Sequence, residues 1–503
     1  MWGDFRHLAN MMSSNTLVSS AFFTLFALPI WWTSSPASAQ ITWDFAEPIP
    51  VAGEEFGNRC PRLALDASGN PMVLMGKSGE GLFLATSDNG VFNTPIPVPT
   101  LENVFMADAE GPSIAVHGST LGLAYQVSGE WATGGQYMST QDGGQTWSES
   151  FPISPNAIED HFMPMLAFDD DGNPFVAVKF GDDPMVVEGV MRSTDGGQTF
   201  QPAQPASASV GSGLACECCP SKTIFGHGRY YSVYRQNDEN LRDMRLVSSE
   251  DGVTWDHQLD LDPTDWMISA CPETGASLAW LPDGRLASTF RSSGNGASEV
   301  YVNVSDVANS MSSEVGATIP VTNFIEAGNQ DQPHIACGPT HTVAVWQENS
   351  GGWEIYAASS ANDALPGGMS NTGTPVSTSL SSSNLHPEVA IHGSKVHVIW
   401  KNSGSGQVMY LRGTLEGAGL KESGSESGAT LRRLGPDQVR IEGAMPGANF
   451  SVLSSVGAAL HRGRCDGQGA AVLPIQLVQS QVVMVQVQSS EGLEMLRLGM
   501  VRN

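Results

Sequence analysis

The chain of 503 residues is long enough to bury a large core, so its stability requires no metal or disulfide staple. Charged residues make up only 15%, while Gly (55) and Pro (30) are abundant, which excludes a predominantly helical protein and fits many short strands joined by tight turns. The formal net charge of −28 excludes nucleic acid and anionic membrane surfaces as partners, because both require basic patches.

The chain opens with Arg6 and His7, an apolar stretch over residues 17–32 and the small-residue site Ala37-Ser38-Ala39. This pattern predicts a secretory signal peptide over residues 1–39, cleaved before Gln40. The apolar run is short for a membrane anchor and no later run approaches membrane length, so no transmembrane segment is expected in the mature chain. The mature protein is expected to be secreted or held at the cell surface, where its cysteines meet an oxidising compartment.

From residue 40 one phrase recurs seven times: a polar or sulfur residue, a proline, an apolar run, a Gly/Asp/Asn turn and a second apolar run. The prolines are Pro61, Pro112, Pro164, Pro220, Pro272, Pro333 and Pro387, and the phrases end at Met75, Tyr125, Val178, Tyr234, Phe290, Trp346 and Trp400. Repeats of about 50 residues with several short strands each predict a β-propeller. The last phrase supplies three strands and no fourth, and an unassigned strand near residues 41–51 precedes the first. Joining the two closes the ring in a mixed blade, so the fold class read here is all-β with seven blades; six is the alternative, the fifth repeat being the weakest.

Residues 413–430 are rich in Gly, Ser and Glu and read as a linker. Residues 431–503 alternate apolar residues and read as a small separate β-domain, giving a propeller domain of 40–412. Asp169-Asp170-Asp171-Gly172-Asn173 has calcium-loop spacing, yet it occupies the place of Asp66-Ala67-Ser68-Gly69-Asn70 in the first repeat and reads as a hairpin turn. No HExxH, Walker loop or GxSxG motif occurs.

The stretches Thr140-Gln141-Asp142-Gly143-Gly144-Gln145-Thr146-Trp147, Ser193-Thr194-Asp195-Gly196-Gly197-Gln198-Thr199-Phe200 and Ser249-Glu250-Asp251-Gly252-Val253-Thr254-Trp255 resemble the Asp-box, or bacterial neuraminidase repeat, of the sialidase superfamily. Thr86-Ser87-Asp88-Asn89-Gly90 is a degenerate copy. The resemblance implies a sialidase-like propeller with these hairpins on its outer edge. The tail, with Phe450-Ser451-Val452-Leu453 and its later strands, resembles a type IX sorting domain, which implies the export machinery as a partner.

In a propeller the residues just before each phrase proline converge at one axial mouth. Arg59-Cys60-Pro61 resembles the Arg-Ile-Pro of the sialidase family, whose arginine clamps a sugar carboxylate, and Tyr234-Arg235 resembles the segment of a second clamp arginine. Arg291 is the candidate third, and Trp266, between Arg235 and Cys271, is a further substrate-binding candidate. A bidentate guanidinium suits a carboxylate because its planar fork matches two oxygens. Asp108 is the candidate general acid, with Glu217 or Glu273 as partner carboxylate. The family's tyrosine nucleophile has no counterpart, since the corresponding stretch reads Asp331-Gln332-Pro333-His334. That departure favours glycan binding over sialidase chemistry; any enzyme activity would be that of an exo-glycosidase acting on an extracellular glycan or glycoprotein.

Sulfur offers the competing reading. Cys60, Cys216, Cys218, Cys219 and Cys271 fall at the expected mouth with His161, Met163 and His386 nearby, a set suited to a soft metal such as copper or zinc. Disulfides, Cys216 or Cys219 with Cys271, and free thiols stay open beside it. The whole Cys216-x-Cys218-Cys219-Pro220 arrangement resembles a subgroup of exported sialidase-like propellers. The alternative function is therefore a thiolate metal-binding, structural or adhesive surface protein without turnover.

Overall fold

A computed structural model describes residues 40–416 and 430–498, except residues 46, 155–159, 182–184, 209–210, 308–315, 322–328, 370–372, 378–382, 436–437, 443–445, 454–458, 469, 475–482 and 490–491. The leader expected over residues 1–39 lies outside the described residues, as do the turn of the fifth repeat over residues 308–311 and most of the linker.

Seven antiparallel sheets arise from the seven phrases, each entered by its innermost strand. Blades 1 to 7 begin with Arg59–Leu65, Ser113–His117, His161–Phe168, Lys222–Gly226, Ala276–Trp280, Asn329–Cys337 and Asn384–His392. These strands pack side by side in that order, and the seventh meets the first, so the ring is closed. The protein is a seven-bladed β-propeller. The fifth repeat, weakest in sequence, is a regular four-stranded sheet; its strand Glu299–Ser305 pairs along its whole length with Leu286–Ser292.

The seam is where the sequence placed it. Gln40–Trp43 pairs with the last propeller strand, Gln407–Glu416, setting Ile41 opposite Leu415, and Ile49–Pro50 pairs with the same strand at Tyr410 and Met409. A sheet edge that would template aggregation is thereby covered. That last strand takes residues 413–416, the first of those read as linker.

The core consists of wedges between neighbouring blades. Ala124 and Tyr137 of blade 2 pack with Leu166 and Val176 of blade 3, while Val73 and Met75 of blade 1 pack with Ile399 and Tyr410 of blade 7. The seven phrase-ending residues are all at most 3% exposed, which explains why each phrase finishes on a large apolar side chain. Each such side chain contributes about 1.5–3 kcal/mol on burial.

Between the third and fourth strands the turns that begin at Thr140 and Ser193 hold themselves together. Asp142 Oδ1 accepts the Thr146 amide while Thr140 Oγ1 accepts the Gly144 amide, and Asp195 with Ser193 repeats the arrangement on Thr199 and Gly197. Because strands alternate in direction, these turns lie at the end opposite the start of the inner strands. The calcium-like Asp169 also serves its own hairpin, accepting the Asp171 and Asn173 amides as Asp66 accepts those of Ser68 and Asn70.

Among the described residues the tail forms two further antiparallel sheets, one of three strands and one of four, between Thr430–Gly435 and Gly492–Leu498. Among the described residues no helix is long and apolar enough to cross a membrane.

Candidate functional site

The inner strands begin at one end of the ring, and the residues preceding the prolines form a collar there. In blades 1, 3, 6 and 7 the strand bulges at the Xaa-Pro pair, and Cys60, Met163, Gln332 and His386 take φ values of 49°, 56°, 48° and 52°. A residue before proline prefers extended backbone, so four left-handed conformers at equivalent positions are strained by about 1–3 kcal/mol each. Bulges of this kind turn a side chain out of the ladder, and they concentrate at functional rims.

Asp108 sits at the blade 1–2 joint. Its Oδ1 accepts the Cys60 amide at 2.8 Å, and its Oδ2 pairs with Lys401 Nζ of blade 7 and lies 3.9 Å from His386 Nε2. Burial pushes this carboxyl up, but the Cys60 amide, Lys401 and His386 outweigh it and hold it below the usual carboxylate range. His386 itself is pushed down to about 4 by burial against the pull of Asp108, so Lys401 is the ionic partner. Asp108 is thus a fixed carboxylate and a poor proton donor, which corrects the expectation that it is the general acid.

Two residues further on, Glu110 has the opposite character. Burial, and then the charge of Glu273, raise its pKa. Glu110 precedes the inner strand of blade 2 and Glu273 precedes that of blade 5, three blades round the ring. Glu273 is exposed, at φ 52°, and Gln332 Nε2 donates to its carbonyl at 2.8 Å. Glu217, the other partner carboxylate expected, instead lies 3.7 Å from Arg242 Nη1 and 4.0 Å from Cys271 Sγ.

The arginines expected to clamp a carboxylate are mostly engaged elsewhere. Arg235 is 0% exposed and donates to the Thr274, Arg242 and Arg291 carbonyls at 3.3, 2.6 and 2.9 Å. It is a buried brace with no face open to a ligand, a correction to the expected clamp. Arg291 donates to Ser298 Oγ and the Pro272 carbonyl and lies 3.6 Å from Asp331 Oδ2. Trp266, 4% exposed, lies under both guanidiniums at 5.0 and 5.2 Å, so it is a packing platform for Arg235 and Arg291 and offers no open face to a sugar. Arg59 is half-buried: Nη2 donates to the Met106 carbonyl at 3.0 Å, while Nε has no hydrogen bond among the described residues.

The cysteines divide into two groups. Cys218 and Cys271 form a disulfide that ties the loop of blade 4 to that of blade 5, a pairing different from the Cys216 or Cys219 partnerships expected. Beside it the Cys216 and Cys219 sulfurs lie 2.8 Å apart, both 0% exposed, with Cys218 Sγ at 3.5 and 4.0 Å. The Cys216 thiol is pushed up by donating its hydrogen bond to Cys219 and by burial. Burial opposes ionisation of Cys219, yet the Cys216 S–H and the Arg235 charge hold its pKa below the ordinary thiol range. Lys179 adds a smaller push from a buried network in which its Nζ meets Glu188 Oε2 at 2.7 Å and Ser221 Oγ at 2.8 Å.

Cys216, Cys218 and Cys219 bring their sulfurs within 4.8 Å of one another, spacing that a soft metal can bridge. Cys60 and His161 do not join them. The Cys60 thiol is pushed up to about 12 by burial and is neighboured by Arg62, Asp108, Arg59 and Lys401, none of them a soft ligand. His161 stacks on Phe180 with ring centroids 5.5 Å apart. Both are corrections to the expected ligand set. Glu110 and Lys401 were missed as site residues; Glu110 lies in the collar stretch Asp108-Ala109-Glu110, whereas nothing near Lys401 in sequence marks it.

No protein-family model matches the chain, and no curated protein matches it. Among solved structures, a protein of unknown function from Dyadobacter fermentans is similar at 15% identity and a TM-score of 0.44, over 75% of this chain and 100% of that one. The Hadza microbial sialidase Hz136 is similar at 12% identity and a TM-score of 0.42, over 74% of this chain and 69% of its own. The polysaccharide lyase Uly1 is similar at 11% identity and a TM-score of 0.43, over 71% and 90% respectively.

Proposed function

We propose that the chain is an exported propeller that recognises extracellular glycans at its axial mouth, and that carboxyls there equip it to cleave a glycosidic bond. The observation that carries this reading is the Glu110–Glu273 pair. One carboxyl is raised by burial and by the charge of the other, while the other stands exposed across the same opening. Glycoside hydrolysis uses such a pair, one carboxyl whose pKa is raised and a second carboxyl group open to the sugar. Asp108, held ionised by Lys401, supplies fixed negative charge near a developing oxocarbenium ion. Export through the leader over residues 1–39, and passage through type IX machinery by the tail domain over 431–503, belong to the same proposal. They are supported by the apolar leader and the alternating strands of the tail.

The test is turnover of a panel of glycans by the wild-type protein and by Glu110→Gln. Loss of about 10²–10⁴-fold in kcat with little change in KM is expected of a general acid. Unchanged kcat would remove Glu110 from that role.

A second reading is favoured by the Cys216, Cys218 and Cys219 sulfurs, which lie close enough to share a copper or zinc ion. Thiolates bind metal and a disulfide sulfur does not, so this reading requires the Cys218–Cys271 bridge to be open. Elemental analysis of protein prepared with and without reductant separates the cases: metal bound only by the reduced protein supports it, and metal in neither ends it.

A further inference from the structure

Below the mouth, the inner strands of blades 1, 4, 6 and 7 carry Arg62, Lys222, His334 and Glu388. Lys222 stands three blades from Glu388, so the two meet only across the axis; burial pushes the ammonium down and the carboxyl up, and each opposes that push on the other. The same electrostatic contact links Lys222 and Arg62 to His334. These four side chains therefore share the axial channel.

Their hydrogen bonds are unequally filled. Glu388 Oε2 accepts the Leu63 amide at 2.6 Å, and its Oε1 lies 3.8 Å from Arg62 Nε. Arg62 donates from Nε to the Pro112 carbonyl and from Nη1 to the Pro61 and Asp108 carbonyls, leaving Nη2 without a hydrogen bond among the described residues. His334 Nδ1 accepts the Val389 amide at 3.3 Å, which puts the proton of the neutral ring on Nε2. Burial, then Lys222 and Arg62, push this imidazole down to about 3, so it carries no charge at neutral pH. Lys222 Nζ has neither a hydrogen bond nor an ion pair among the described residues.

Two cations thus share one carboxylate that is already committed to the blade seam, in a chain whose formal net charge is −28. A half-buried ammonium without a partner loses part of its hydration, and two half-buried cations lining one channel repel. An anion between them relieves both. We propose that the axial channel binds a small oxyanion of the size and charge of phosphate or sulfate, with Lys222 and Arg62 as its cationic contacts and the His334 Nε2–H as a further donor. A planar guanidinium and an ammonium are the groups that recognise such ions. The site uses neither the Glu110 nor the Glu273 carboxyl, although Arg62 is bonded to the Asp108 and Pro112 carbonyls beside Glu110, and it is assayed with inorganic ions and no sugar, so its failure would leave the glycan reading untouched. A carboxylate borne by a sugar offers the same chemistry from a second source.

The experiment titrates the whole mature chain with sodium sulfate, sodium phosphate or sodium glucuronate against sodium chloride at matched ionic strength, reading heat and Tm. Sulfate or phosphate is expected to bind with a single equivalent and to raise Tm beyond chloride. Lys222→Met is expected to weaken binding at least about tenfold, the share of one charge-assisted contact, and Lys222→Arg to restore most of it. Acetylation of Lys222 in wild-type protein, followed by mass spectrometry, is expected to slow in sulfate, a readout that depends on no variant. Sulfate and phosphate acting no better than chloride would overturn the proposal. So would equal binding by Lys222→Met, or acetylation indifferent to sulfate. Glucuronate binding without inorganic-ion binding would overturn it too, by making the channel a sugar subsite.

Discussion

The Glu388 carboxylate of blade 7 accepts the backbone amide of Leu63 in blade 1 at 2.6 Å, clasping together two residues 325 positions apart at the closure of the ring. The same clasp recurs between other inner strands, with His334 Nδ1 accepting the Val389 amide, Ser277 Oγ that of Ile335 and Ser113 Oγ that of Leu166. Glu388 adds a charge to this pattern and lies beside Arg62. Glu388→Ala strips the seam of its acceptor and leaves Arg62 and Lys222 facing each other, so a loss of about 3 kcal/mol is expected in urea unfolding. Glu388→Gln keeps an acceptor and should lose less. Wild-type stability in Glu388→Ala would show that the clasp contributes nothing.

Lys179 and Glu188 form an ion pair with side chains 1% and 0% exposed, and Ser221 and Ser232 donate to the same carboxylate at 2.6 Å. Removing one charge leaves the other buried and unpaired, so Glu188→Ala should cost about 3–5 kcal/mol. The double variant Lys179→Met/Glu188→Leu should recover most of that loss. A double variant as damaged as the single one would mean that the pair, with its hydroxyls, stabilises the fold in its own right.

Asp243 is fully buried and raised to about 7, chiefly by burial and then by Asp262, Asp260 and Asp265, against the hydrogen bond from the Trp266 amide. Its folded pKa lies above the unfolded value of about 3.9, so the native state holds the proton between these limits and the unfolded state does not. Its contribution to stability is present below about pH 4 and is lost as pH rises through about 7. Asp243→Asn keeps the acceptor for Trp266, so the difference in stability between the variant and wild type should shift in favour of the variant between pH 4 and 8. A difference curve flat with pH would contradict the assignment.

The Cys218–Cys271 bridge closes a loop with a sequence separation of 53 and joins two neighbouring blades at the mouth. Constraint of the unfolded chain gives such a bridge about 2–4 kcal/mol, so mild reduction should lower Tm and Cys271→Ser should abolish the response to reductant. Under non-reducing conditions peptide mapping should recover Cys218 with Cys271. Cys216 or Cys219 recovered with Cys271 would contradict the pairing.

The architecture was legible because it repeats. A proline, two apolar runs and a terminal large side chain recur from Pro61 to Trp400, and each terminus became a core residue. The incomplete last repeat called for the strand near residue 41, and that strand pairs with Leu415 as expected. The surroundings of the collar side chains were not legible. Arg235 ends a strand of buried residues, and nothing local tells that three carbonyls surround it. Asp108 and Glu110 are near-equivalent in sequence; the Cys60 amide and then Lys401, 293 positions away, hold Asp108 down against burial, while burial and then Glu273 push Glu110 up. Long-range electrostatics set these assignments, and a single sequence carries no record of which distant groups meet.

A glycan held at the axial mouth, as proposed, would be in reach of the exposed Glu273. The most direct measurement is binding of a broad panel of extracellular glycans to the wild-type protein and to Glu273→Gln, with Tm recorded for both. At least one glycan is expected to bind wild type and to bind the variant about tenfold or more weakly, with both proteins melting alike. No bound glycan, or binding indifferent to Glu273→Gln, would contradict it.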